Sequence, residues 1–139
     1  MADLSVNIAG VALKNPLIAA SGAFGFGEEY SAFYPISVLG GVSSKGLTLA
    51  PRPGNPPPRI AETPSGMLNA VGLQNPGLDC FLEQHLPWLR AQDTAVIANI
   101  AGNTPEDYCA MAERLSDSDV DMIEMNISCP NVKQGGVQF

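Results

Sequence analysis

Ala95-Val-Ile-Ala-Asn99 is a short apolar run that ends at a polar residue. Leu17-Ile-Ala-Ala-Ser21 has the same arrangement, and Asp121-Met-Ile-Glu-Met125, a further predicted strand, ends at the polar residue Asn126. Runs of this kind, apolar on both faces, are typical of parallel strands that are buried on both sides. The three stretches therefore predict a parallel sheet whose strands end in polar side chains.

Helical signals lie between these strands. Positions 78, 81, 82, 86 and 89 are apolar, which is helical spacing over Leu78–Leu89. Thr104-Pro-Glu-Asp107 supplies an N-cap and a proline for a second helix, which we expect to run to about Leu115 and to bury Met111, Ala112 and Leu115. Other expected elements are a hairpin over Leu4–Leu13, a helix over Gly27–Phe33 and a strand over Gly41–Lys45.

Four strand-then-helix units at intervals of roughly 25 to 30 residues predict an α/β fold, as a parallel sheet or a (β/α)8 barrel. Because such a barrel takes roughly 250 residues, we expect residues 1–139 to be the N-terminal half of one domain, with about four units, the N-terminal hairpin and no second domain. An open doubly wound sheet is the competing architecture, although no GxGxxG follows the first strand. In a barrel, the strand ends that carry Ser21, Lys45, Asn99 and Asn126 would form the active site.

Composition excludes several classes of protein. A net charge of −7 and a pI near 4.4 argue against a protein that binds phosphate backbones. The sequence has no signal-peptide pattern and no long apolar run, and its three dispersed cysteines fit a reducing cytoplasm. We expect no metal site, because His85 has no partner at zinc-ligand spacing.

Residues 46–77 hold many of the prolines and glycines, and long insertions of this kind are usually functional. We expect a shaped insertion that flanks the pocket, in which a hairpin over Arg59–Leu68 leads to Asn69; a simple linker is the alternative. Cys80, Cys109 and Trp88 are interpreted as packing or surface residues, and His85 as a solvent-facing helical residue.

Cys129 follows a predicted strand in the segment Asn126-Ile-Ser-Cys-Pro-Asn131. A cysteine at this position can be a nucleophile, a metal ligand, a base or an inert small residue. A free thiol has a pKa of roughly 8.5, so a modest shift makes it a proton acceptor near neutrality. No histidine lies nearby in sequence, which favours a base over an acyl-transfer nucleophile.

The same segment resembles the catalytic loop of class 1 dihydroorotate dehydrogenases. The Phe24-Gly-Phe-Gly-Glu-Glu-Tyr30 stretch is most similar to the NAD-linked subtype, and the cysteine differs from the serine base of the membrane-attached class 2 enzymes. Further motifs that resemble the family are Asn15-Pro-Leu-Ile-Ala-Ala-Ser-Gly22, Lys45-Gly46, Gly54-Asn-Pro-Pro-Pro-Arg59, Met67-Leu-Asn-Ala-Val-Gly-Leu-Gln-Asn-Pro-Gly77 and Ala98-Asn-Ile-Ala-Gly102.

The resemblance implies flavin-dependent oxidation of dihydroorotate to orotate, in pyrimidine biosynthesis, with Cys129 as the base. The residues implied to contact FMN are Ala20, Ser21, Lys45, Gly46, Asn99 and Asn126. The residues implied to bind the substrate are Lys45, Asn69, Ala70, Val71, Gly72, Leu73, Asn126 and Asn131. Residues 130–139 would form a lid over the site.

The resemblance also implies a homodimeric core and a partner subunit that carries FAD and an iron–sulfur cluster. The chain has no cluster motif of its own. We expect the 139 residues alone to bind FMN poorly, because the phosphate site of such barrels lies after the later strands. Two alternatives remain open: a related FMN enzyme that reduces pyrimidines, and a non-catalytic half-barrel.

Overall fold

The structure is a computed structural model that describes residues 2–128. Its strands are, in chain order, β1 (Val6–Ile8), β2 (Val11–Leu13), β3 (Ile18–Ala19), β4 (Gly41–Ser43), β5 (Ile60–Thr63), β6 (Gly66–Asn69), β7 (Ala95–Ile100) and β8 (Met122–Met125). Its helices are α1 (Leu78–Cys80), α2 (Leu86–Arg90) and α3 (Pro105–Ser116). A π-helical turn over Phe81–His85 joins α1 to α2, and Glu29–Ala32 and Ile36–Val38 are short 3₁₀ segments.

The central sheet contains β3, β4, β7 and β8, paired in parallel and in the order of the sequence. This arrangement confirms the predicted parallel α/β sheet. The N-terminal hairpin is confirmed as well, because β1 and β2 pair antiparallel through a turn at Ala9-Gly10, where both residues have positive φ. Asn7 accepts a hydrogen bond from the amide of Gly10 and stabilises this turn.

Burial on both faces is found in the middle of the sheet, but the expectation of it for the run Leu17–Ala20 is wrong. All residues of β4, and Val96–Ile100 of β7, are buried, whereas Leu17 beside β3 is 64% exposed and Met125 in β8 is 59% exposed. Within residues 2–128, β3 and β8 each pair with one neighbour only. A strand is buried on both faces only where neighbouring elements cover it.

The helices pack on one face of the sheet, against residues that alternate along its strands. Val42, Val96, Ala98 and Ile100 share a core with the fully buried side chains Phe81, Leu89, Met111 and Leu115. Burial of each large apolar side chain contributes roughly 1.5 to 3 kcal/mol to stability. Trp88 packs on this core, as expected. Along β7 the intervening residues, Ile97 and Asn99, point to the opposite face.

The continuous helical stretch from Leu78 to Arg90 and helix α3 both begin close to the predicted residues. Thr104 caps α3 through its hydroxyl, which accepts a hydrogen bond from the amide of Asp107 at 3.3 Å, and Pro105 is in the first turn. Of the residues expected to be buried on α3, Met111 and Leu115 are fully buried and Ala112 is half-buried. Within the described part of the chain, no helix is both long and apolar enough to cross a membrane.

Two expectations about residues 24–33 and His85 are wrong. The helix predicted over Gly27–Phe33 is a short 3₁₀ segment, because Gly25 and Gly27 have positive φ and turn the chain. His85 does not face solvent: its side chain is 18% exposed and stacks on Phe26, with ring centroids 3.9 Å apart. Its Nδ1 lies 3.0 Å from the carboxylate of Glu28, so the π-helical turn that carries His85 holds the segment after β3.

Candidate active site

The C-terminal ends of the central strands converge around Gly46, which directly follows Lys45. A Cβ atom on Gly46 would lie 2.9 Å from Cδ1 of Leu73, 3.0 Å from Oδ1 of Asn99 and 3.8 Å from Nδ2 of Asn126. The structure therefore brings together four of the predicted site residues, which are far apart in sequence. Glycine is needed at position 46 for space, because a methyl group would overlap two neighbours.

Asn99 lies at the centre of this group. It is 3% exposed, and its Oδ1 has no hydrogen-bond partner among residues 2–128. Its backbone amide is held at 3.1 Å by the hydroxyl of Ser44, and its carbonyl accepts from the amide of Leu47 at 2.9 Å. A buried acceptor without a partner is costly, and this oxygen is able to accept a hydrogen bond from a bound molecule.

Asn126 is fixed by three hydrogen bonds. Its backbone amide donates to the carbonyl of Ile100 at 2.8 Å, and its carbonyl accepts from the hydroxyl of Tyr108 at 2.6 Å. Its Oδ1 accepts from the amide of Ser128 at 3.1 Å. The Nδ2 group, which lies toward Gly46, is thus the donor that this residue can offer to a ligand.

The loop from Ala70 to Leu73 is held by the proline-rich insertion. Nδ2 of Asn55 donates to the carbonyl of Ala70 at 2.9 Å, and its backbone amide donates to the carbonyl of Val71 at 3.0 Å. Gly72 has a φ of +76° and contacts Asn55 so closely that a Cβ would lie 2.6 Å from Cγ of that side chain. Residues 51–58 therefore form a shaped support for the loop, as expected, and not a simple linker.

Asn75 joins this loop to the end of β4. Its Oδ1 accepts from the backbone amides of Thr48 at 3.1 Å and Gly77 at 2.9 Å, while its Nδ2 donates to the carbonyl of Leu73 at 2.9 Å. The side chain is 6% exposed. It fixes Leu73, which has a φ of +58°, in the conformation that places its side chain against Gly46.

Lys45 is half-buried beside the segment that follows β3. Its backbone amide donates to the carbonyl of Gly25 at 2.9 Å, and its Nζ lies 3.8 Å from the position of a Cβ on Gly22. The four ion pairs found within residues 2–128 do not include Lys45. It borders a cavity of about 640 Å³ together with Arg52 and His85, so its positive charge is available to an anionic ligand.

A second cavity, of about 540 Å³, lies on the side of the sheet away from the helices. Ala20 and Ser21 line it, together with Ser43, Ile97 and Glu124. The hydroxyl of Ser43 donates to the carboxylate of Glu124. Ala20 and Ser21, the two predicted site residues that follow β3, therefore line the same cavity as Glu124 of β8.

The remaining predicted residues are not gathered around Gly46 by these contacts. Asn69 is the last residue of β6, in a hairpin whose strands are exposed on every residue. Cys129, Asn131 and the predicted lid over residues 130–139 lie outside the described residues. Within residues 2–128, no three His, Cys, Asp or Glu side chains form a group that could hold a metal ion.

Tyr108 and Asn75 are positioning residues that the sequence analysis did not identify. Asn75 is part of a motif that carries the family resemblance, but its role depends on contacts across 27 residues with Thr48. Tyr108 is 6% exposed on α3, and a buried tyrosine hydroxyl usually has a partner. That general rule is the one signal in the sequence that could have found it.

The fold and these contacts define a class: a parallel α/β protein with a cluster of polar side chains at the C-terminal ends of its strands. The chain belongs to the dihydroorotate dehydrogenase family, whose model matches residues 3–139.

Curated relatives of this chain include catalytic subunits of NAD(+)-linked dihydroorotate dehydrogenase B. Those of Petrotoga mobilis and Geobacillus kaustophilus are each 58% identical to this chain over its whole length. The alignments cover 46% and 45% of those proteins, so the chain spans about half the length of these relatives. Among solved structures, the dihydroorotate dehydrogenase of Eimeria tenella in complex with ferulenol has a TM-score of 0.64 at 25% identity, over 94% of this chain and 38% of that one.

Proposed function

We propose that residues 1–139 form the N-terminal half of a single FMN-binding (β/α)8 barrel domain, with the first four strand–helix units and the N-terminal hairpin. The parallel order of β3, β4, β7 and β8 supports this assignment, because successive strands of such a barrel are neighbours. The alignment with about half of each curated relative supports it as well. The protein with the complete barrel is called the intact enzyme below.

The proposed activity of the intact enzyme is the oxidation of dihydroorotate to orotate, a step of pyrimidine biosynthesis. The observation that carries the proposal is the buried Oδ1 of Asn99, which lies beside Gly46 and lacks a partner among residues 2–128. A flat cofactor with ring N–H donors fits an acceptor of this kind. The reaction that we propose is the one that gives the dihydroorotate dehydrogenase family its name, because the chain belongs to that family.

FMN fits the residues present. Gly46 has no side chain to cover the amide groups of Asn99 and Asn126, which offer an acceptor and a donor. Ala20, Ser21 and Lys45 would complete the contacts from the ends of β3 and β4. When bound, FMN supplies the acceptor for the hydride that dihydroorotate loses.

The substrate would lie between Lys45 and the loop from Asn69 to Leu73. The ammonium of Lys45 would stabilise the substrate's carboxylate, and Asn69, Asn126 and Asn131 would hydrogen-bond its ring and carboxylate. Leu73 contacts Gly46 and excludes water from this side of the site. Cys129 would accept the proton from the ring carbon, and the segment after it would close over the substrate.

The relatives from Petrotoga mobilis and Geobacillus kaustophilus are catalytic subunits, which implies a second subunit. We propose that this partner carries FAD and an iron–sulfur cluster and passes electrons to NAD, and that the catalytic subunits form a homodimer. The free thiols of Cys80 and Cys109 fit a cytoplasmic location, where thiols stay reduced.

Replacement of Cys129 tests the role of the base. In the intact enzyme, Cys129→Ser should slow reduction of the flavin by dihydroorotate by about 100-fold or more at neutral pH, because general-base catalysis contributes about that much. The remaining rate should rise with pH, since a hydroxyl is a weaker acid than a thiol. Rapid mixing with flavin absorbance as the signal measures this step, and Cys109→Ser, at an exposed thiol, is the matched control.

Two results would contradict the proposal. Flavin reduction at the parent rate in Cys129→Ser would exclude this thiol as the base and favour a non-catalytic role for the chain. Faster turnover with dihydrouracil than with dihydroorotate would assign the protein to the pyrimidine-reducing enzymes instead.

A further inference from the structure

Glu124 is the one carboxylate of β8, and it lies beside the proposed flavin site. In the parallel pairing of β7 with β8, Glu124 is the register partner of Asn99. Register partners in a parallel pair point to the same face, so the side chain of Glu124 shares the face of Asn99. Asn126, two residues further along, shares it as well.

A hydrogen bond across β7 orients this carboxylate. The hydroxyl of Ser43, on β4, donates to Oε2 of Glu124 and so reaches over Ile97, the register partner of Ser43 on β7. Ser43 is 4% exposed. The bond holds the carboxylate toward the cavity of about 540 Å³ that Ala20 and Ser21 also line.

The charge of Glu124 is not balanced by a cation within residues 2–128. The four ion pairs of this region join Lys14 to Asp93, Glu28 to His85, Asp121 to Arg90 and Asp79 to Arg114. The partner found for Glu124 is a neutral hydroxyl, which leaves its negative charge directed into the cavity. Glu124 is exposed to this cavity, so solvent screens part of its charge, and we expect an effect of modest size on a group bound beside it.

We propose that Glu124 lowers the reduction potential of the bound flavin and so makes the reduced enzyme a stronger electron donor. The inference rests on the proposed function, because it takes the flavin to lie against Asn99 and Ser21. Dihydroorotate gives up one proton to the base and one hydride, with two electrons, to the flavin, and a neutral flavin ring that gains a hydride becomes an anion. A nearby carboxylate disfavours that anion.

Redox titration of the purified, flavin-loaded intact enzyme with a reference dye measures the effect. Glu124→Gln keeps the shape of the side chain and removes its charge. We expect the equilibrium constant for reduction of the flavin to rise about tenfold, which raises the two-electron potential by about 30 mV. Glu124→Ala is a second neutral variant, and Glu124→Asp keeps the charge. Glu113→Gln, on the exposed face of α3, makes the same change of net charge away from the cavity.

Ser43→Ala distinguishes the charge of Glu124 from its hydrogen bond, because this variant removes the hydrogen bond and keeps the carboxylate. We expect its potential to stay close to that of the parent. An unchanged potential in a flavin-loaded neutral variant, or equal shifts in Ser43→Ala and Glu124→Gln, would overturn the inference. An intact enzyme that holds no flavin, or flavin that dihydroorotate does not reduce, would instead contradict the proposed function.

Discussion

The hydroxyl of Tyr108, on α3, donates a hydrogen bond to the backbone carbonyl of Asn126 over 2.6 Å. Gly102 makes this contact possible, because a Cβ at that position would lie 2.9 Å from Cδ2 of the tyrosine ring. The bond connects the helix after β7 to the residue that directly follows β8. It fixes the backbone of Asn126, whose side chain is proposed to contact both flavin and substrate, three residues before Cys129.

Tyr108→Phe removes this bond and retains the ring. We expect a loss of about 1 kcal/mol in the free energy of unfolding, since the carbonyl of Asn126 loses a buried partner. We also expect weaker substrate binding, seen as a several-fold higher KM for dihydroorotate. Urea unfolding and steady-state kinetics of the intact enzyme measure the two effects. Tyr34→Phe, at an exposed ring, is the control, and equal effects of both variants would contradict the positioning role.

Gly46→Ala places a methyl group within 3.0 Å of Leu73 and Asn99. Overpacking of this kind costs typically 1 to 3 kcal/mol, and here it also covers Oδ1 of Asn99, the acceptor proposed for the flavin ring. We expect the intact enzyme to lose most of its bound flavin, as measured by absorbance after gel filtration. Gly66→Ala is the matched control, because its Cβ would meet nothing closer than 3.8 Å. Full flavin content in Gly46→Ala would remove the case for a ring at this position.

Asn75→Ala leaves the backbone amides of Thr48 and Gly77 and the carbonyl of Leu73 without their partner. Buried groups left without partners cost about 1 to 3 kcal/mol each, so we expect a loss of about 3 kcal/mol in stability. Because Leu73 is released, KM for dihydroorotate should also rise. Asn103→Ala, at an exposed asparagine, is the control. A rise in KM without any loss of stability would mean that Asn75 contacts the substrate and does not act through Leu73.

The strands were predictable because their pattern is local. The apolar runs before Ser21, Asn99 and Asn126 fall on β3, β7 and β8, and the Thr104 cap falls at the start of α3. The exposure of β3 was not predictable, because burial depends on which elements cover a strand. The same limit applies to His85, whose partner Glu28 lies 57 residues earlier in the chain.

The candidate site was predictable from the family motifs and not from pattern alone. Periodicity indicates that Asn99 ends a strand, but it does not show that Leu73 meets Gly46 or that Oδ1 of Asn99 is buried. Those facts depend on Asn75 and on the insertion around Asn55, which join segments that local rules treat as loops. Positioning residues of this kind have no short-range signature.

An ion pair between Lys14 and Asp93 links the end of β2 to the start of β7. Its contribution to stability can be tested at acidic pH. The ammonium of Lys14 lies 2.9 Å from Oδ2 of Asp93 and also donates to its backbone carbonyl. The hydrogen bond from Lys14, followed by its positive charge, lowers the pKa of Asp93 below the ordinary value of 3.8. A carboxyl with a lowered pKa in the folded state stabilises the fold above its unfolded pKa, and this stabilisation is lost as the pH falls through the folded value.

Asp93→Asn should therefore be less stable than the parent near pH 6, and the difference should shrink as the pH falls from about 3.8 through the lower pKa of the folded carboxyl, below which the parent is protonated as well. The pair is exposed, so the effect should be small and should decrease with added salt. Urea unfolding midpoints of the two proteins across this pH range measure the difference, with Asp119→Asn at an exposed carboxylate as the control. A difference that stays constant through the acid range would show that the variant acts through the strained backbone at residue 93, where φ is +52°, and not through the ion pair.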